Sequence, residues 1–276
     1  MNTSQHSTQH LTFAVITSTI GRSELEEAIV SVRNQTYPVK HYIFIDGKDY
    51  WQASEKIIAK YPDVIPIYLP INTGKGGWYN SRINAIAPFI VEEDIICFLD
   101  DDNFYESNHI ETLADAFQSS SSDWVYSFRN MVRMDGSFLC KDTVDSIGFY
   151  GCEHPEFAHF EFEELSFPIK LAFEPFVDIN CYAFRRKVAQ NLATTWNIQG
   201  FGNDRVVFNT LKKELNLKSV GTENFTVNYR MNPKTFGLGK IWEVFSSVYF
   251  TEDKIEEAFY IALKSIIGSG DKLIRP

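Results

Sequence analysis

Residues 11–99 alternate short β-branched runs with helical patterns, and this alternation restricts the possible folds more than any other feature. Leu11–Ser18 (LTFAVITS) reads as a strand. A helical pattern follows, with Leu25, Ala28, Ile29 and Val32 on one face. Ser23 is its expected cap, Glu26 stands at capping-box spacing, and Tyr37-Pro38 ends it. His41–Ile45 (HYIFI) reads as a second strand, closed by Asp46-Gly47. Ser54–Lys60 then reads as a helix, Ile65–Leu69 as a third strand and Asn72–Gly77 (NTGKGG) as a loop. A helix is expected near Trp78–Ile90. The fourth strand, Ile95–Leu99 (IICFL), is wholly apolar and runs straight into Asp100, Asp101 and Asp102.

Strands alternating with helices imply an α/β fold with a mostly parallel sheet, and apolar strands imply helices on both faces. Such sheets bind ligands beyond the carboxyl ends of their strands. The polar residues stand at those ends: Thr17, Asp46, and Asp100 to Asp102.

Composition narrows the function classes. A chain of 276 residues suits one large α/β domain or two smaller ones. Aromatic residues make up 15%, enough apolar bulk to support a packed core, so the chain is not disordered. Lys and Arg number 26 against 36 Asp and Glu, a net charge of -10 that repels phosphate backbones, so nucleic acid is excluded as the expected partner. No window of membrane-spanning length lacks charge. Residues 1–10 (MNTSQHSTQH) have no apolar signal region and read as a flexible tail. Cys97, Cys140, Cys152 and Cys181 show no C-x-x-C spacing, which fits reduced thiols in the cytoplasm.

The second half is less regular. Trp124–Met134 and Val177–Arg185 read as strands, Gly200–Leu211 as a turn opening into a helix, and Ile241–Ile267 as mostly helical. The glutamates between residues 153 and 164 read as a solvated face. Trp242, Phe245, Tyr249, Phe259 and Tyr260 read as packing or a homodimer contact. Sparse basic residues there allow at most peripheral membrane contact. Asp178 suits either an acceptor pocket or a structural hydrogen bond.

Three adjacent carboxylates after an apolar strand repel one another unless a cation is present. A divalent ion held by one or two carboxylates plus substrate phosphates relieves that repulsion; a solvated acidic turn is the plainer alternative. Asp204 lies in a Gly-rich turn before a helix, where a side chain reaches a cleft or simply caps the helix.

In that order, FAVITSTIGRSELEEAIVSVRNQTYP, YIFIDG, NTGKGGWYNSRINAI and IICFLDDDNFY resemble family 2 glycosyltransferases of the GT-A fold. The resemblance covers residues 11–105 and continues more thinly into VDINCYAFRR and GFGNDRVVFNTL. It implies a Rossmann-like mixed sheet, mostly parallel, flanked by helices, with a C-terminal helical segment. It further implies that Thr17 and Thr19 touch the nucleotide, that Asp46 accepts a hydrogen bond from uracil, and that Arg82 approaches the base or diphosphate. Asp101 would sit by the ribose, Asp100 nearby or on the substrate side, and Asp102 would hold Mn²⁺ or Mg²⁺. Asp204 would be the general base. Many members carry a His where VNYRMNPKTFG has Asn232.

The expected domain is a single unit over residues 11–276: a nucleotide-sugar half (11–105), an acceptor half (106–240) and C-terminal helices (241–276). The implied reaction moves a hexose or N-acetylhexosamine from a UDP-sugar to a glycan or lipid-linked oligosaccharide. The implied setting is bacterial-type surface polysaccharide synthesis in the cytoplasm, at most peripheral to the inner face of the membrane. Two other readings compete. A non-catalytic nucleotide- or carbohydrate-binding module would use the same fold. An Asp-dependent phosphatase would use Asp100 and Asp102, but Phe104 stands where that chemistry needs a hydroxyl.

Overall fold

A computed structural model describes residues 10–143, 156–170, 176–233 and 251–268. The N-terminal tail, Tyr150, Trp242, Phe245 and Tyr249 lie outside the described residues. The chain divides into two compact units, residues 1–127 with 179–224, and residues 128–178 with 225–276.

In the first unit, β1 (Phe13–Thr19), β2 (Lys40–Asp46), β3 (Ile65–Leu69) and β4 (Ile95–Phe98) are parallel, in the order β3-β2-β1-β4. The β-branched runs of β1, β2 and β4 are buried almost end to end, as expected for strands covered on both faces. A two-residue β5 (Phe104–Tyr105) follows, then β6 (Trp124–Val132) and β7 (Phe138–Lys141). The β8 (Phe157–Phe162) and β9 (Leu165–Lys170) strands form a separate hairpin. The main sheet is completed by β10 (Tyr182–Arg185) and β11 (Ser219–Arg230), giving nine strands among the described residues. Its mixed character enters at β10, which lies antiparallel to both β4 and β6. Both β6 and β11 run from the first unit into the second.

The helices of the first unit are α1 (Leu25–Arg33), α2 (Trp51–Ile58), α3 (Ser81–Ile86), α4 (His109–Ser119), α5 (Arg186–Asn191), α6 (Ala193–Trp196) and α7 (Asn203–Asn209). Leu25 and Ile29 of α1 pack on Ile43 and Ile45 of β2, the amphipathic face expected from their spacing. Two local expectations need correction. Ser23 does not cap α1: it lies one residue outside the cap position, and its hydroxyl donates to the Glu24 carboxylate. The helix expected over Trp78–Ile90 is shorter. Gly76, Gly77 and Tyr79 all have positive φ and delay its start, and Pro88, which has no N–H to donate, stands in a 3₁₀ turn after Ile86. Cys97 is a buried core thiol, and burial pushes its pKa up.

In the second unit, β8 alternates buried Ala158 and Phe160 with exposed His159 and Glu161, a strand with one solvated face. Phe160 packs with Ile255, Ala258 and Ala262 of α8 (Glu252–Ile267). Phe259 and Tyr260 are buried with Met131, Cys140, Met231 and Leu263, so these two aromatics are core residues. Glu156, Glu161, Glu163 and Glu164 are exposed. Asp178 accepts a hydrogen bond from buried Arg129, a structural role. Among the described residues, no helix is long and apolar enough to cross a membrane.

Candidate active site

The parallel register places Thr19, Asp46 and Leu99 at the same end of the sheet. Thr19 pairs with Ile45, and the Leu99 amide donates to the carbonyl of Ile16. The loops beyond these carboxyl ends carry most of the residues expected at the site.

Asp46 closes β2 and is followed by Gly47 at φ +115°. Its carboxylate is buried and accepts three hydrogen bonds: from the Thr73 amide (2.7 Å), the Thr73 hydroxyl (2.8 Å) and the Gly74 amide (2.9 Å). Asp46 therefore holds the NTGKGG loop in place. Arg82, the second residue of α3, donates to the Thr73 carbonyl (3.2 Å) and lies over the Trp78 ring at 4.2 Å.

The three carboxylates after β4 have separate partners. Asp100 is gripped from two sides. Asn80 donates to its Oδ1 (2.6 Å), and Asn180 donates to its Oδ2 (3.0 Å) while accepting from its amide (2.6 Å). Asp101 is buried and accepts from the Thr19 hydroxyl (2.7 Å). Asp102, whose side chain is 37% exposed, pairs with Arg22 at 2.5 Å, and the same guanidinium nitrogen lies 3.3 Å from Asp101.

Asp204 occupies the first turn of α7, after Gly202 in the left-handed conformation. The neighbouring Asn203 is buried and donates to the Ser81 hydroxyl and to the carbonyls of Trp196 and Gln199. Gly200 lies directly against the Gly77–Trp78 backbone, where a Cβ would land on the Gly77 carbonyl. The Ser81 hydroxyl also donates to the Gly200 carbonyl. The segment Asn72–Arg82 is thus bonded to Asp46, to Asp100 and to the turn that carries Asp204.

Thr17 is not brought into this group. It is fully buried within the sheet, and its hydroxyl is paired with His41 Nε2 at 2.9 Å. Sequence reasoning missed Arg22, Asn80 and Asn180. Their only signal was position: Arg22 follows β1, Asn80 precedes α3 and Asn180 precedes β10.

Whether this chain suits a divalent metal is a question of donor chemistry. Carboxylate oxygens are the right hard donors, and Asp102 is accessible. Among the described residues, no group of three or more His, Cys, Asp or Glu could hold a metal alone. A carboxylate such as that of Asp102 suits an ion that takes its other ligands from substrate phosphates and water.

Burial sets the titration of three groups here. It pushes the Asp101 carboxyl up to about 6, against the pull of Arg22 and Thr19. It holds His41 and His109 down at about 3. An unfolded imidazole takes a proton near pH ~6.5, while the folded ones do not, so both histidines erode stability as pH falls below ~6.5. Asp101 acts oppositely, because the folded state keeps its proton between pH ~4 and ~6 and stability falls as pH rises through that window. With two imidazoles against one carboxyl, the melting temperature is expected to decline from pH 7 to pH 4. Calorimetry of His41→Gln is expected to show a shallower decline, and an unchanged slope would remove His41 from the account.

A parallel α/β sheet with loop carboxylates beyond its carboxyl ends places a ligand site at that edge. Residues 14–192 match the family model described as glycosyl transferase family 2, and the chain belongs to that family. Solved structures agree in fold. S. aureus TarS residues 1–349 in complex with UDP-GlcNAc aligns with a TM-score of 0.52 at 16% identity, covering 80% of this chain and 59% of that one. A second crystal structure of TarS 1–349 aligns at 0.52 and 15% identity over 92% of this chain and 71% of that one. The mannosyltransferase PcManGT from Pyrobaculum calidifontis, in complex with GDP-Man and Mn²⁺, aligns at 0.52 and 12% identity over 92% and 70%. The chain thus spans 59% of the TarS chain holding UDP-GlcNAc. No curated protein matches. The mixed sheet flanked by helices is the GT-A fold, and family and fold together support a glycosyl-transfer role.

Proposed function

We propose that this protein is an inverting, metal-dependent glycosyltransferase that moves a hexose or N-acetylhexosamine from a UDP-sugar to a glycan hydroxyl. The observation that carries this reading is the bonding of one segment, Asn72–Arg82, to Asp46, Asp100 and the Asp204 turn at the carboxyl end of a parallel sheet. In this reading Asp46 and Arg82 receive the base and diphosphate, and Thr19 and Asp101 stand by the ribose. Asp102 holds Mn²⁺ or Mg²⁺, which when bound offsets the charge growing on the diphosphate. Asp204 takes the proton from the acceptor hydroxyl as its oxygen attacks the anomeric carbon. The bond from that carbon to UDP breaks, and UDP leaves with the electron pair. Attack from the face opposite the leaving group inverts the anomeric centre. The acceptor is a glycan or lipid-linked oligosaccharide in surface polysaccharide synthesis, met in the cytoplasm or at the inner membrane face.

A thermal-shift panel of UDP, TDP, GDP and CDP, each with and without Mn²⁺, tests the donor. A ligand at ~100 times its Kd adds about 2.7 kcal/mol, about 5 °C for a chain of this size. The expected result is a shift with UDP that needs Mn²⁺ and disappears in Asp102→Asn. A shift with GDP alone would reassign the donor, and no shift with any nucleotide would remove the donor site.

A further inference from the structure

The carboxylate assigned to the metal, Asp102, and its neighbour Asp101 already hold a cation of the chain's own. Thr19 sets this up. Its hydroxyl donates to Asp101 and also accepts from the Gly21 amide at 2.9 Å, which bends the loop back toward β4. Gly21 has φ +79° and packs against Ala53 and Ser54, a conformation and a space that leave no room for a side chain. The turn delivers Arg22 onto the two carboxylates, with one nitrogen 2.5 Å from Asp102 and 3.3 Å from Asp101. Its side chain is 46% exposed. The contact is therefore charge-assisted, yet open enough to water to be exchanged.

We propose that Arg22 is a placeholder cation: it occupies the Asp101–Asp102 pair until a divalent ion and a nucleoside diphosphate arrive together, and then moves its guanidinium onto the diphosphate. This rests on the donor-site reading above. Two cations on one carboxylate oxygen repel, so a metal alone must displace Arg22 with nothing to receive it. A diphosphate supplies that receiver, because the planar guanidinium fork matches paired phosphate oxygens. Arg22 thereby makes metal and nucleotide binding depend on each other, and a coupling of this kind is reciprocal. It would keep the site from loading metal without donor.

The test is a Mn²⁺ titration followed by the paramagnetic resonance of free Mn²⁺, with and without UDP, for wild type, Arg22→Ala, Arg22→Gln and Asp102→Asn. Circular dichroism confirms that each variant is folded. Without UDP, both Arg22 variants are expected to bind Mn²⁺ about threefold to tenfold more tightly than wild type. With UDP their advantage is expected to vanish or reverse. Asp102→Asn is expected to lose Mn²⁺ in either condition. Unchanged or weaker Mn²⁺ binding by both Arg22 variants without UDP overturns the placeholder role. Failure of wild type to bind Mn²⁺ with UDP overturns the donor site instead, and the two failures are read from different samples.

Discussion

Asp204→Asn is expected to lower glycosyl transfer by about 10²–10⁴-fold, the usual contribution of a positioned general base. Nucleotide binding and the melting temperature are expected to stay near wild type. The amide keeps the shape of the carboxylate but cannot accept a proton at neutral pH. A carboxylate in the first turn of a helix is worth about 0.3–1 kcal/mol, and the turn before α7 is held by Asn203 and by the Gly200 contact rather than by Asp204 alone. The experiment compares initial transfer rates with UDP binding measured on the same preparation. A loss below tenfold would take the base role from Asp204. Nucleotide binding by a wild type that transfers no sugar would favour the binding-module reading.

The largest stability effect is expected at Arg129, which is 2% exposed in the second unit. It donates to Asp142 at 2.7 Å and to Asp178 at 2.5 Å, and lies over the Tyr229 ring at 4.4 Å. Both carboxylates are themselves buried. Arg129→Met fills similar volume but takes a buried cation from two buried carboxylates, and breaking a buried ion pair from one side costs about 3–5 kcal/mol. Against a typical total of about 5–15 kcal/mol, that approaches unfolding. Urea denaturation is expected to show the loss. The triple change Arg129→Met, Asp142→Leu, Asp178→Leu is expected to recover most of it, because the cost comes from uncompensated charge rather than lost volume. A single-variant loss under 1 kcal/mol would mean that water reaches the cluster.

The histidine and thermal-shift predictions test other parts of the same picture. His41 shows how sequence and structure divide the work: its place at the head of a strand was visible, but its burial against Thr17 was not.

Local pattern made much of the first unit legible. The strands β1 to β4 fall within two residues of their expected limits, because a buried parallel strand must be apolar along its length and must stop where the polar residues begin. Asp100 to Asp102 and Asp46 announced a site for the same reason: charge at the end of an apolar strand stands out in sequence. The second half was harder to read. β8 and β9 form a hairpin whose exposed side mixes Phe157, His159, Glu161, Ser166, Pro168 and Lys170, so no clean apolar–polar alternation marks it, and the role of Asp178 depends on Arg129, 49 residues away in sequence.

Periodicity and strand-end chemistry follow from neighbours within a few residues, and they settled which segments are strands, which are helices, and which end of the sheet carries the carboxylates. Partnership does not follow from neighbours. Arg22 meets Asp102 across 80 residues, Asn180 meets Asp100 across another 80, and Asn203 meets Ser81 across 122. Those contacts exist because the sheet brings distant loops to one edge, Thr19 and Leu99 by parallel pairing and Asn180 by the antiparallel strand β10. They determine that Asp100 is clamped by two asparagines, that Asp101 is buried against Thr19, and that the half-exposed Asp102 is paired with an arginine.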